Sequence, residues 1–229
     1  MKAFIQVRFK SFFSSKSASD AAVQVIGSLI LLMILFILVG LAASSFFDSS
    51  RGGANFQSPV AKINIESCEG GLYGVGPTDE RVTLGENQII LEHKGGDSLP
   101  LKATSIRISG YGNSYRGVVG TEGSGRVEGD TTVHYYDLSS EGKNPDYMAR
   151  NGAALEDGFW DVGERLILCG QDSAEGDSYS SVKVSVGGGK NTSDNYGFKA
   201  GSEISLKVID SEGRNVIADR TAAVEFVKD

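Results

Sequence analysis

Basic side chains, histidine, proline and cysteine are all scarce in this 229-residue chain: 22 Lys and Arg stand against 29 Asp and Glu, with two His, four Pro and two Cys. A formal charge of −7 repels phosphate backbones, whose binding needs clustered Lys and Arg, so nucleic-acid partners are excluded. Two histidines, His93 and His134, supply no Ser-His-Asp constellation with a defensible spacing. The chain is therefore not expected to be an enzyme, and no cofactor or metal is indicated. Cys68 and Cys169 lie in no C-x-x-C pattern, which removes zinc ribbons and thioredoxin-like chemistry.

What is abundant is glycine, with thirty residues, in clusters that punctuate short apolar alternations. That pattern points to many short strands. Ala61, Ile63 and Ile65 alternate with Lys62, Asn64 and Glu66; Val182, Val184 and Val186 with Lys183 and Ser185; Ile204, Leu206 and Val208 with Ser205 and Lys207; Ala222, Val224 and Phe226 with Ala223, Glu225 and Val227. Residues 88–93, 104–109, 131–137, 165–169 and 215–218 are further strand candidates, and Ser211–Arg214 reads as a hairpin turn. A two-sheet antiparallel sandwich over 60–229 accommodates them most simply. The segment 138–159 reads as an exposed loop with at most a short helix over 146–156, and the glycine-rich 117–129 as a flexible turn.

The other abundance is local. Between Asp20 and Asp48 there is no charged residue. As a helix, Ala21–Phe47 would measure about 40 Å, enough to cross a hydrocarbon core of about 30 Å. The preceding leader, with Lys2, Arg8, Lys10 and Lys16 against Asp20, carries +3, so the whole chain's −7 leaves −10 beyond residue 20. The positive-inside rule then places leader inside and body outside. A secretory signal peptide fits poorly, because its apolar core is shorter and its leader usually briefer. Hydropathy alone does not separate a permanent anchor from a helix that later leaves the bilayer.

Ala21-Ala22-Val23-Gln24-Val25-Ile26-Gly27-Ser28-Leu29-Ile30-Leu31 resembles the start of the mature archaeal type IV pilins, with Gln24 and Val23 where that family often has proline and serine. Leu91-Glu92-His93-Lys94-Gly95-Gly96-Asp97-Ser98-Leu99 resembles the family's H-x-G-G-D-x-L element, read here as a structural turn built on His93, Gly95, Gly96 and Asp97. Phe159–Leu166 and the pair of strands within 204–226 resemble its later strands. The resemblance implies an α+β chain: a basic leader (1–20), a long N-terminal apolar helix (21–47), a linker (48–59) and an antiparallel β-sandwich head (60–229). It also implies a prepilin peptidase cutting between Asp20 and Ala21, with Ala21–Ala22 as the second choice. The partners implied are other copies in a helical filament, an assembly ATPase and a membrane platform protein. The precursor would sit in the cytoplasmic membrane with its head outside, and the mature chain in a cell-surface filament serving adhesion. An archaellum subunit, a membrane-anchored binding module that never polymerises and an extracellular enzyme are the alternatives.

Individual residues carry two readings each. Outside the cell, a disulfide between Cys68 and Cys169 is the expected use, closing a loop worth roughly 4–5 kcal/mol; two unpaired buried thiols are the alternative. Asn191-Thr192-Ser193 is a glycosylation sequon at Asn191. His93 with Asp97 either holds a metal or packs in the turn, and His134 sits on a strand, solvated or half-buried. Gly187–Thr192 fails as a phosphate loop, since Val184 and Asn191 stand where glycine and Ser or Thr belong. Tyr135, Tyr136, Tyr179 and Tyr196 form either a contact surface or core.

Overall fold

The computed structural model describes residues 26–39, 58–74, 82–116, 125–174, 179–189 and 192–227. Two units divide the chain, Met1–Phe56 and Gln57–Asp229. In the first, one helix, α1 (26–39), is described, and every residue of it is exposed. Asp20, Ala21 and all of the linker before Ser58 lie outside the described residues.

The expected α+β class with a long apolar helix over 21–47 is corrected here. The described helix is about 21 Å long at 1.5 Å per residue, and no helix among the described residues is long and apolar enough to cross a membrane. Freedom from charge defines a lipid-compatible stretch; it does not define helix ends, which depend on caps and propensity. The protein is mostly β, in three sheets with a few short helices.

In the second unit β1 (Ala61–Gly70), β2 (Gln88–Gly96), β7 (Arg165–Cys169) and the short β12 (Glu225–Phe226) form one sheet, in the order β12-β1-β2-β7. β4 (Thr104–Arg116), β5 (Gly125–Tyr135), β8 (Val182–Val186), β10 (Glu203–Asp210) and β11 (Asn215–Ala223) form a larger one, ordered β11-β10-β4-β5-β8, with β9 (Gly197–Phe198) pairing β4 off that path. β3 (Leu99–Pro100) pairs β6 (Phe159–Trp160). Pairing is antiparallel except for β12, which runs parallel to β1.

Alternation explains why these segments are strands. Ile63 and Leu91 from the smaller sheet, and Ile108, Val133, Leu206 and Val184 from the larger, enter one continuous apolar core. Their sequence neighbours Lys62, Glu92, Arg107, His134, Lys207 and Lys183 stay at least partly solvated. One register shift between Ile65 and Ser67 lets β1 bury Cys68 after its first half has buried Ala61 and Ile63.

Three expectations are revised. The stretch 215–223 is one strand, and Val224, buried, separates it from β12. Residues 125–129 of the supposed glycine turn belong to β5, paired with β4 from Gly112 to Arg116. The stretch 138–159 is not an exposed loop: α2 (Pro145–Arg150) and α3 (Gly152–Leu155) bury Tyr147 and Ala154. Asn144 caps α2 by accepting from the Asp146 amide, with Pro145 in the first turn. Asn151 then ties both helices to β7, its Oδ1 accepting from Ile167 N at 2.7 Å and its Nδ2 donating to Ile167 O at 3.0 Å.

Candidate functional site

The two-glycine element is a corner that pins the residue preceding β1 to the end of β2. Gly96, with φ +105°, brings its backbone against β1, so that an added Cβ would lie 2.1 Å from Val60 O. Glycine alone fits there. Asp97 closes the corner from both sides: its amide donates to Val60 O and its carboxylate accepts from Val60 N, each at 2.9 Å. His93 is fully buried, its Nε2 2.9 Å from Asp97 O and its ring edge-on to Trp160 at 5.8 Å. The Trp160 indole N–H donates to Glu164 O, and Gly163 N donates to His93 O at 2.7 Å. His93 therefore meets the Asp97 carbonyl and not its carboxylate, the contact expected of packing within the turn. Among the described residues no group of three His, Cys, Asp or Glu is placed to hold a metal.

A second, buried polar centre lies under α2, unannounced by any motif. Asp172, fully buried, accepts from Cys169 N at 2.7 Å and from the Tyr135 hydroxyl at 2.9 Å, and it pairs with Arg150. Since Tyr135 gives its one proton to Asp172, the 2.8 Å contact between the two phenols makes Tyr196 the donor to Tyr135. Burial pushes the Asp172 carboxyl up to about 6, against the opposing pull of the Cys169 amide and Arg150. Burial and the Asp172 charge also hold both phenols well above their ordinary range, so they remain protonated donors. Nearby, Lys143 is buried with its ammonium on Asp137 at 3.2 Å, Ser139 O and Ser181 Oγ, and burial lowers its pKa. These contacts pin the turn after β7 to β5; every polar partner is a neighbouring part of the fold.

The predicted disulfide is corrected. Cys68 and Cys169 are both free and buried. Tyr135 and Tyr196 are core residues, whereas Tyr136 and Tyr179 are 54% and 86% exposed. His134 is half-buried on β5. Asn191 lies outside the described residues. Asp172 and Arg150 escaped the sequence reading because only tertiary packing makes them neighbours. No family model matches the chain, and no curated protein matches it.

Proposed function

We propose that this chain is a structural subunit of an extracellular filament of the archaeal type IV pilus kind. The observation that supports this reading is α1: its large side chains from Ile26 to Val39 are 52–67% exposed on every side of the helix. Covering such a side chain completely is worth about 1.5–3 kcal/mol. Helices of soluble bodies keep one polar face for water, and α1 has none apart from Ser28. Lipid covers it in the precursor, and equivalent segments of other copies cover it in the filament. Exchange between the two costs little, because both surroundings are apolar. A prepilin peptidase removes residues 1–20, cutting between Asp20 and Ala21; an assembly ATPase with a membrane platform protein supplies the work of extraction. The body forms the outer surface and serves adhesion.

Leu32→Glu or Leu35→Glu tests this reading. A carboxylate there costs about 2.5–3.5 kcal/mol in lipid and disrupts an apolar helix core equally. Filaments sheared from cells should disappear while the body keeps its cooperative unfolding. Normal filaments from either variant would sink the proposal.

A further inference from the structure

One register row crosses four strands of the larger sheet. Lys207 on β10 lies opposite Arg107 on β4, Arg107 opposite His134 on β5, and His134 opposite Lys183 on β8. The adjacent row on the same face is Ser205, Ser109, Thr132 and Ser185. Leu206, Ile108, Val133 and Val184, one residue along each strand, are buried in the core, so both rows stand on the solvated face. With strands about 4.8 Å apart, the four basic side chains form a line of about 14 Å. Next to it runs a line of hydroxyls.

Folding gives no reason for such a row. Like charges directly opposite on neighbouring strands destabilise a sheet, and carboxylates outnumber Lys and Arg by 29 to 22 in this chain. Among the described residues, carboxylates pair with the row at its ends. Lys207 pairs with Asp219 at 3.0 Å, both half-exposed, and Lys183 with Asp194 at 2.8 Å. The Lys207–Asp219 pair is exposed and worth little, so Lys207 exchanges partners readily; Asp194 is buried and also accepts from Val184 N, so Lys183 stays committed to it. Arg107, exposed at the centre, has no ion-pair partner among the described residues. Beside it His134 leans on the half-exposed Tyr136 ring, centroids 4.3 Å apart.

We propose that this face binds an acidic polysaccharide. A carboxylate or sulfate group takes the Arg107 fork, Lys207 leaves its exposed partner Asp219 for the next acidic group, the hydroxyl row meets the sugar hydroxyls, and a sugar ring lies against Tyr136. Arg107 suits the task because a guanidinium engages a carboxylate through two parallel hydrogen bonds. Nucleic acid fits less well: it needs several uncommitted cations on a positive surface, and here one arginine on an acidic body carries the unshared charge. The site stands on the body's own sheet and goes beyond the filament reading, so it holds whether or not the chain polymerises.

The test measures binding of the full chain, in non-ionic detergent at low salt, to polygalacturonate, with neutral dextran and duplex DNA as controls. Polygalacturonate should bind and dextran should not, with affinity falling as salt rises. Arg107→Gln should weaken binding about tenfold, and Arg107→Lys should recover part of the loss. Lys207→Gln, an exposed change, should weaken it severalfold and serves as the second variant. His134, whose pKa is lowered by burial and by Arg107, faces Arg107 and Lys183 across the sheet. Bound polyanion should therefore raise the pH at which its imidazole titrates. Equal binding by wild type and Arg107→Gln, equal binding to dextran, tighter binding to DNA, or retention explained by self-association of the chain would each overturn the assignment.

Discussion

Cys68 and Cys169 sit on the two strands that flank β2 and on opposite faces of that sheet. Cys68 lies opposite Ile89, an inward residue, whereas Cys169 lies opposite Gln88, one position along. The Cys169 thiol turns instead to Leu84 O and Gly85 O, at 3.4 Å each. Two strand spacings put their Cα atoms about 9–10 Å apart, beyond the roughly 7 Å limit for a bridge. The sequence expectation of a disulfide fails because separation along a chain carries no information about the strand in between. Burial pushes Cys68 up to about 12 and Cys169 up to about 11, so neither is thiolate at neutral pH. Two thiols per chain should react with a thiol reagent in denaturant without reductant, and essentially none in the native state at pH 7.5. A chain with no reactive thiol after denaturation would contradict the register.

The corner at Gly96 makes a prediction about backbone geometry. Gly96→Ala forces a left-handed φ on a residue with a Cβ and drives that Cβ into Val60 O, which should cost about 2–3 kcal/mol of stability. Gly152→Ala is the control: nothing lies within 4 Å of its added Cβ, and alanine is the better helix former by about 1 kcal/mol. Denaturant unfolding should separate the two in opposite directions. A Gly96→Ala midpoint equal to wild type would show that the corner is not held as described.

Asp172 gives the body a pH dependence of defined sign. Its folded pKa, about 6, lies above the ordinary 3.8, so between these values the folded state holds the proton more often than the unfolded chain. Stability contributed by the protonated form is fully present below about pH 4 and is lost as pH rises through 6, on the order of 3 kcal/mol. Asp172→Asn cannot titrate and should remove that slope. Unfolding free energies of the two proteins, measured from pH 4 to 7.5, should diverge in their pH dependence; parallel curves would contradict the assignment.

How much of this was legible in sequence depends on what holds each element. β7 and β8 have the bounds their alternation gives, Arg165–Cys169 and Val182–Val186, because one face of each must be apolar. The H-x-G-G-D corner was legible because Gly96 leaves a backbone signature. The first half of β5 was not: 125–129 contains two glycines and little apolar character, and only its long pairing with β4 makes it a strand. α2 had a readable signal in Asn144-Pro145-Asp146, a cap followed by a first-turn proline, but so few apolar residues follow that the segment resembles a loop until Asn151 is seen bonded to β7. The Asp172 centre and the basic row across β10, β4, β5 and β8 exist only through register, which no single strand's sequence states.

The filament reading is tested most directly by the N-terminal residue of the mature protein, determined by mass spectrometry on material sheared from cells. The expected result is a chain that begins at Ala21, with residues 26–39 retained. A chain in that material beginning at Met1, or near Ser45 with the apolar segment removed, would contradict it.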